Sequence, residues 1–277
     1  MPSSKLRGLE LVSKRYLVNA FSDLCRDDPL STHCYVVYYA LHEPERIELI
    51  VSFSRDSIES YALIKFAGEF AIEDLYEVYV WRPTKETLSQ IDIPSDKRVD
   101  IQLYDYEPRE LRIVLERFKE LGFRHFHVGE FYDMVCTRES FTPSDLEVLA
   151  TKLREEHATL YRDLELERDI EISLEEAKRI LQRYTHYGVI VNGILASIAA
   201  SYVTLPQLWV LGGVYTRKRF RGRGYAKAVV SALTRDIVSR GALAGLHVET
   251  SNEPALRVYK SLGYKILRIR TWIFAKP

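Results

Sequence analysis

The stretch Val214–Val230, VYTRKRFRGRGYAKAVV, decides the fold of this chain of 277 residues. It ends a strand-like run and opens a helical pattern, with a basic glycine loop between them. The first turn of a helix offers unpaired N–H groups and a partial positive charge. Gly222 and Gly224 let the backbone approach a ligand closely. Five basic residues add charge: Arg217, Lys218, Arg219, Arg221 and Arg223. The stretch therefore predicts a pyrophosphate-binding site.

Two simpler interpretations of the loop are a disordered RNA-binding segment and a solvated basic turn. The strand before the loop and the apolar-faced helix after it argue against both. The loop also lacks the GxxxxGK(S/T) pattern of a Walker A motif and the third glycine of the Rossmann GxGxxG motif. We therefore expect another class of phosphate-binding loop.

The C-terminal half shows helical and strand periods in turn. The predicted elements are helix Pro143–Glu156, helix Leu174–Tyr187, a hairpin turning at Asn192-Gly193, strand Gln207–Thr216 kinked at Gly212-Gly213, helix Tyr225 to about Arg240, strand AGLHVET, helix Asn252–Leu262 and a terminal strand. This order indicates a mixed α/β sheet with helices on its faces.

The loop residues Arg221–Ala226, RGRGYA, fit the acetyl-CoA loop pattern Arg/Gln-x-x-Gly-x-Gly/Ala of the GNAT N-acetyltransferase superfamily. The wider run GGVYTRKRFRGRGYA resembles the FR47-like branch of that superfamily. A second family segment follows, with Asn252, Ala255, Tyr259, Gly263 and Tyr264 in the family spacing. The resemblance covers about residues 139–277. It implies the GNAT acyl-CoA N-acyltransferase fold, with acetyl-CoA as co-substrate and no metal.

The resemblance also implies which residues hold acetyl-CoA. They are Val214 and Thr216 along the pantetheine, Arg221, Gly222, Arg223, Gly224, Tyr225 and Ala226 at the pyrophosphate, and Asn252 at the pantetheine. The kink in the strand is expected to direct an N–H group at the thioester carbonyl. Asn252 is equally suited to cap the following helix, and both roles can coexist.

Tyr259 stands at the position of the family's usual general acid, which protonates the leaving thiolate. A buried aromatic on the helix face is the simpler alternative. For the general base, His247 and Glu249 share one face of the strand GLHVET, and a histidine suits base catalysis near neutrality. A solvated strand face or a water-mediated deprotonation would need neither residue. No acidic residue occupies Leu208–Thr216, where many family members keep one.

The acceptor side is predicted from one acidic segment and one aromatic cluster. Arg162–Glu176 is rich in carboxylates, which could attract a cationic small-molecule amine or a protein or peptide amine. A solvated, charge-rich loop is the favoured alternative. Tyr184, His186 and Tyr187 either line the acceptor groove or pack the helix end.

The sequence thus predicts an acetyl-CoA-dependent N-acetyltransferase that acts on a primary amine. Two alternatives remain open at this stage. One is a non-catalytic acyl-CoA-binding or regulatory module. The other is an N-acyltransferase that uses a longer acyl-CoA.

The N-terminal half contains FKELGF (Phe118–Phe123), which parallels YKSLGY (Tyr259–Tyr264) 141 residues later. We therefore expect a degenerate, non-catalytic GNAT-like domain at 1–138 and a catalytic domain at 139–277. The position of the phosphate loop falls near WRPTKE (Trp81–Glu86), which has a proline and no glycine. Strands are predicted at CYVVYYAL, RIELIVSFS and LYEVYVW, and a helix at Pro108–Leu121. The protein would be a monomer, in which the two copies form an intrachain pseudo-dimer, or a homodimer.

Composition excludes several other classes. Acidic and basic residues number 39 each, which argues against a general nucleic-acid or membrane-surface binder. The three cysteines show no CxxC spacing, so a disulfide framework or zinc site is not expected and a cytoplasmic location is predicted. The N-terminus lacks the apolar region of a signal peptide, and no apolar run approaches 18 residues.

Overall fold

The computed structural model describes residues 4–7, 11–54, 57–66 and 75–277, which form two compact units. The first unit holds the described residues up to 66, residues 75–131 and Ile269–Pro277. The second unit is Tyr132–Arg268. The boundaries fall inside two strands, whereas the predicted domains meet at 138/139. The predicted domains 1–138 and 139–277 are the two copies of a fold, whereas the two units are defined by their internal contacts. The division at 138/139 therefore stays a prediction.

The first unit is built on a mixed sheet. Its elements are β1 (Ser4–Arg7), α1 (Leu11–Asp27), α2 (His33–His42), β2 (Ile47–Ser54), β3 (Ser57–Lys65), β4 (Leu75–Trp81), α3 (Lys85–Ser89), β5 (Arg98–Tyr104), α4 (Pro108–Glu120) and β6 (His125–Cys136, to residue 131). Strands β1 to β4 are antiparallel neighbours, and β4 pairs in parallel with β5. The other edge of β5 pairs with Thr271–Ala275, near the end of the chain.

The second unit repeats this order of elements. It contains β7 (Ala150–Lys152), α5 (Ala158–Leu166), α6 (Leu174–Arg183), β8 (Thr185–Val191), β9 (Ile194–Thr204), β10 (Leu208–Thr216), α7 (Tyr225–Ser239), β11 (Leu243–Glu249), α8 (Glu253–Ser261) and β12 (Lys265–Lys276, to residue 268). Strands β7 to β10 are antiparallel neighbours, β10 pairs in parallel with β11, and the end of β6 lies beside β11. The predicted mixed α/β architecture is confirmed.

Each unit has a core of its own. In the second, the apolar face of α7 packs on the sheet through Val229, Val230 and Leu233. Tyr259 of α8 belongs to the same cluster. In the first unit, Phe118 of α4 takes the corresponding place and is fully buried. The FKELGF and YKSLGY repeat therefore marks the same packing in both units.

Local signals placed several elements correctly. Asn192 and Gly193 have φ angles of 50° and 74°, which are the left-handed values that the predicted hairpin turn requires. Ser173 caps α6 and forms a capping box with Glu176. Helix α6 nevertheless ends at Arg183 rather than Tyr187, because the chain enters β8 at Thr185.

The predicted helix at 143–156 is wrong. The segment instead forms a short 3-10 helix, Asp145–Leu149, and the edge strand β7, which pairs with β8. The helical spacing of apolar residues gave no sign of this pairing, which takes the backbone hydrogen bonds of Ala150–Lys152. The side chain of Val148 consequently projects outward and is 88% exposed.

The predicted strand CYVVYYAL is also wrong, because these residues form α2. Residues 33–40 of α2 are all buried, so the helix is apolar on every side and shows no amphipathic period. A short apolar run rich in valine and tyrosine resembles a buried strand in such a case.

Cys25 and Cys34 form a disulfide, contrary to the expectation of no such bond. The cysteines lie on consecutive helices whose short connection brings their Cα atoms to 5.4 Å, within the range of a disulfide. The cytoplasmic location stays a prediction. None of the helices in the described ranges is long and apolar enough to cross a membrane.

Candidate active site

The two central strands of the second unit part from each other. Strands β10 and β11 pair in parallel from Leu208–Leu243 to Leu211–Leu246. Both strands continue beyond this point, to Thr216 and Glu249, but within the described residues they form no further pairs with each other. The result is a fork in the sheet whose arms leave backbone groups of β10 open to a ligand.

A bulge bends β10 just beyond the last pair with β11, where the fork begins, as the glycine pair predicted. The pairing with β9 shifts register between Gly212 and Tyr215. Gly213 has φ +59°, and a Cβ atom there would collide with the Tyr202 hydroxyl. A Cβ on Gly212 would lie 2.9 Å from Cε2 of the same ring. Two glycines are therefore needed for the bulge and the tyrosine to share this space.

The predicted phosphate loop leads from β10 into α7. Gly222 and Gly224 have φ angles of +74° and +78°. Gly224 is the N-cap of α7 and supplies no capping side chain, so the first-turn N–H groups are left for other partners. A Cβ atom on Gly222 would meet no atom of the described chain within 4 Å. The loop therefore presents an open surface at a helix N-terminus, which suits an anion.

The basic residues of the loop differ in their contacts. Arg217 is buried, donates to the carbonyl oxygen of Leu195 at 2.8 Å and forms an ion pair with Glu167. It therefore fastens the loop to the body of the unit, and its charge is balanced. Arg219 and Arg223 instead lie over the Phe220 ring, at 5.0 and 5.8 Å from its centre.

Arg221 and Thr216 stabilise the join between β10 and the loop. Arg221 donates from Nε to the carbonyl oxygen of Thr216 at 3.1 Å. The hydroxyl of Thr216 lies 2.8 Å from that of Ser197 on β9. These contacts fix the end of the strand, and Val214, inside the bulge, is half-buried.

Tyr259 lies on α8 and is 7% exposed. Burial raises the pKa of its phenol to about 12, so the group keeps its proton at neutral pH. At the start of the same helix, Asn252 accepts a hydrogen bond from the Ala255 N–H at 3.2 Å. Its predicted role as an N-cap is confirmed, and its role at the pantetheine stays a prediction.

The two candidate bases lie in different surroundings. His247 is the first residue of β11 beyond the last pair with β10, so it lies at the base of the fork. Its Nδ1 is 2.6 Å from Oδ1 of Asp133 on β6. Glu249 is exposed at the far end of β11, where its carbonyl oxygen accepts from the Asn252 N–H. The structure thus gives His247 a fixed orientation.

Asp133 was not predicted from the sequence as part of the site. It is fully buried, and its second carboxylate oxygen lies 3.2 Å from Nε of Arg268 on β12. A buried carboxylate is costly unless it is paired, and His247 and Arg268 provide the partners here. The only signal in the sequence is an aspartate inside the otherwise uncharged run FYDMVC.

The acidic segment Arg162–Glu176, from the end of α5 to the start of α6, is largely paired within the second unit. Glu165 pairs with Arg168 through both oxygens at 2.9 Å, and Glu167 pairs with Arg217. Glu175 pairs with Lys178 at 2.7 Å. These pairs balance much of the negative charge, which favours the solvated, charge-rich loop over an attractor for amines.

The aromatic cluster after α6 packs the unit. Tyr184 and His186 are buried, and Nδ1 of His186 lies 3.0 Å from the Tyr184 carbonyl oxygen. Burial lowers the pKa of His186 to about 4. Tyr187 is half-buried and donates to Asp236 of α7 at 3.2 Å. The packing interpretation of these residues is favoured. Within the described ranges, no group of three or more His, Cys, Asp and Glu side chains could hold a metal ion.

Comparison with known proteins agrees with this geometry. The family model of FR47-like proteins matches residues 186–273, which run from β8 to β12 and include the fork, the loop and Tyr259. No curated protein sequence matches the chain.

Solved structures resemble the chain over nearly its whole length. A protein from Drosophila is 16% identical, with a TM-score of 0.65, and the match covers 97% of this chain and 91% of that protein. A GCN5-related N-acetyltransferase-like protein from Streptococcus suis is 16% identical, with a TM-score of 0.62 and coverage of 95% and 98%. A tandem GNAT protein from the clavulanic acid biosynthesis pathway is 10% identical, with a TM-score of 0.60 and coverage of 99% and 97%. The chain therefore has the tandem GNAT fold, and its C-terminal part matches the FR47-like family.

Proposed function

We propose that the second unit transfers an acetyl group from acetyl-CoA to a primary amine. The observation that carries this proposal is the fork between β10 and β11, which opens beside an uncapped helix N-terminus. A fork with a bulged edge and an adjacent anion site offers complementary surfaces to the two ends of acetyl-CoA. The thioester end needs backbone hydrogen bonds and an oxyanion donor, and the other end carries a pyrophosphate.

The donor is bound by backbone atoms in this proposal. The pantetheine lies along β10 from Val214 to Thr216, and Asn252 reaches it from the opposite arm. The pyrophosphate occupies the open surface over Gly222 and accepts hydrogen bonds from the first turn of α7, at Tyr225 and Ala226. Arg221, Arg223 and Gly224 complete this part of the site. The empty space at Gly222 and the missing cap of α7 support the assignment.

The reaction is a direct attack of the amine on the thioester. The acceptor enters as an ammonium ion and loses one proton to a base before its nitrogen bonds to the carbonyl carbon. The bulge of β10 directs an N–H group at the oxyanion that forms. The C–S bond then breaks, Tyr259 protonates the thiolate, and the second proton of the attacking nitrogen returns to the phenolate. An ammonium ion and acetyl-CoA thus give an acetamide, CoA and one proton.

His247 is the base in this scheme. Its place at the base of the fork and its hydrogen bond to Asp133 favour it over Glu249, which is exposed at the end of the strand. The acceptor is a small-molecule amine or a protein or peptide amine. Its identity is set by side chains around the fork that the proposal does not assign.

The test is CoA release from acetyl-CoA in the presence of a panel of amines, with the variants His247→Gln and Glu249→Gln side by side. We expect turnover with at least one amine and a loss of about 100-fold in kcat for His247→Gln alone, the lower end of the range for a general base. A loss with Glu249→Gln alone would move the base to Glu249. Tight binding of CoA without turnover on any amine would favour a non-catalytic module, and turnover only with longer chains would favour another acyl donor.

A further inference from the structure

We infer that Asp133 is a positioning residue that holds His247 in the tautomer needed for base catalysis. The inference rests on the proposed function and adds a residue from outside the motifs of the C-terminal half. Asp133 belongs to β6, which enters the second unit from the first half of the sequence. It lies beside β11 through the contact between Oδ1 and Nδ1 of His247 at 2.6 Å.

Asp133 makes this contact in a buried environment. Its carboxylate is fully buried, and the side chain of His247 is only 7% exposed. A buried carboxylate must be stabilised by donors or opposite charge, because its transfer from water is costly. Since an ionised carboxylate can only accept hydrogen bonds, the hydrogen in this contact belongs to Nδ1 of the histidine.

Arg268 accounts for the charge. Its Nε lies 3.2 Å from Oδ2 of Asp133, on the opposite side of the carboxylate from His247. The guanidinium is permanently charged and balances the carboxylate. The imidazole therefore does not have to be a cation for the cluster to be neutral, and it can start the reaction as a base.

A neutral imidazole that carries its hydrogen on Nδ1 has its lone pair on Nε2. His247 follows directly after the last β10–β11 pair. In the proposed reaction, the lone pair on Nε2 takes the proton from the ammonium group of the acceptor. Asp133 takes no proton itself. It fixes the ring orientation and stabilises the imidazolium that forms, as a carboxylate does when it orients a catalytic histidine.

The decisive variant is Asp133→Asn, which keeps the volume of the side chain. The amide can donate to Nδ1 and force the hydrogen onto Nε2, which removes the base. We expect kcat to fall by about 100-fold or more, while the dissociation constant of CoA changes by less than about two-fold. Thr234→Val serves as the control, because it removes a buried hydrogen bond of the same unit, 2.7 Å between the hydroxyls of Thr234 and Tyr264. It should lower stability and leave kcat unchanged.

A double-mutant cycle separates positioning from mere structure. If Asp133 acts through His247, the change Asp133→Asn has no further effect in a His247→Gln background. Additive losses in kcat would overturn the inference, and so would full activity of Asp133→Asn.

The tautomer provides a readout that needs no turnover. Long-range 1H–15N NMR of the wild-type protein should show His247 with its hydrogen on Nδ1, and an Nε2-protonated neutral ring would contradict the inference even if Asp133→Asn fails to fold. A correct tautomer in a protein that acetylates no amine would leave the positioning contact standing and sink the proposed function instead.

Discussion

The loops at β4–α3 and β10–α7 occupy the same place in the two units and end differently. In the first unit, α3 has five residues, and the hydroxyl of its N-cap, Thr84, accepts from the Thr87 N–H at 3.1 Å. In the second, α7 has fifteen residues, and its N-cap is Gly224, which provides no such acceptor. One helix N-terminus has a capping side chain from its own chain, and the other has none.

The strands that lead into these loops differ in the same sense. Strands β4 and β5 stay paired along seven residues, from Leu75–Arg98 to Trp81–Tyr104. Strands β10 and β11 pair over four residues and then part. The position of Tyr259 in the second unit is filled by Phe118 in the first, which has no proton to give. The two units therefore share their core packing and differ in three places: the cap of the helix, the pairing of the two strands, and the phenol of Tyr259.

The largest effect is expected at Gly222. We expect Gly222→Asp to weaken acetyl-CoA binding about 1000-fold, or about 4 kcal/mol, because a carboxylate would face the pyrophosphate. Gly193→Asp is the matched control, since Gly193 has the same φ of +74° and equally open space around its Cβ position. Both variants bear the same backbone strain, so isothermal titration with acetyl-CoA separates strain from charge. Equal affinities for the two variants would refute the loop assignment.

The second prediction concerns the phenol of Tyr259, whose place is taken by Phe118 in the first unit. Tyr259→Phe should lower kcat about 100-fold and leave the affinity for acetyl-CoA unchanged, because a general acid acts only in the transition state. Because burial raises the Tyr259 pKa to about 12, activity should show no loss from its ionisation between pH 7 and pH 10. The control Tyr264→Phe removes a buried hydroxyl that is hydrogen-bonded to Thr234, and it should lower only the free energy of unfolding. A wild-type rate for Tyr259→Phe would make Tyr259 a packing residue like Phe118.

The third prediction concerns a property that the units share. Burial lowers the pKa of His33 in the first unit and of His186 in the second to about 4 each. The unfolded chain takes up a proton near pH 6.5, before the folded one, so stability is lost as pH falls from 6.5 towards 4. Between pH 7 and pH 5 each histidine should cost about 2 kcal/mol of unfolding free energy.

Urea unfolding at the two pH values tests this for the wild type and the single variants His33→Gln and His186→Gln. Each variant should lose about 2 kcal/mol of the pH dependence. An unchanged pH dependence in either variant would show that the histidine is not held neutral in that unit.

The smallest expected effect is at the N-cap of helix α3 in the first unit. Thr84→Ala should lower stability by about 1 kcal/mol, the usual cost of a lost N-cap, with acetyl-CoA affinity and kcat unchanged. Ser173→Ala, which removes the cap of α6, is the matched change in the second unit. Thermal unfolding and the acetylation assay together measure both effects. A change in acetyl-CoA affinity for Thr84→Ala would give the first unit a part in binding.

The sequence predicted the features that short stretches specify. The glycine loop, the Asn192-Gly193 turn, the Ser173 cap and the bulge at Gly212-Gly213 all follow from backbone geometry that few residues can adopt. The prediction from sequence failed where contacts between residues far apart in the chain determine the secondary structure. Residues 33–40 of helix α2 are buried on all sides, and β7 forms because an edge of the sheet is available to it.

The candidate site shows the same limit. Tyr259 was predicted from family spacing, His247 from its place on a strand face, and the loop from its glycines and basic residues. Asp133, by contrast, lies 114 residues before His247 and meets it only through the pairing of β6 with β11. No sequence pattern within either strand predicts that contact. The Cys25–Cys34 disulfide was missed because its spacing matches no common motif and only the turn between α1 and α2 brings the residues together.

The central claim is that one of the two copies binds the donor. The number of CoA molecules bound per chain, measured by isothermal titration on the wild type and on Gly222→Asp, tests it most directly. We predict one molecule per chain for the wild type and no binding at the same concentrations for the variant. Two molecules per chain, or one that persists in Gly222→Asp, would contradict the account and place donor binding in the first unit.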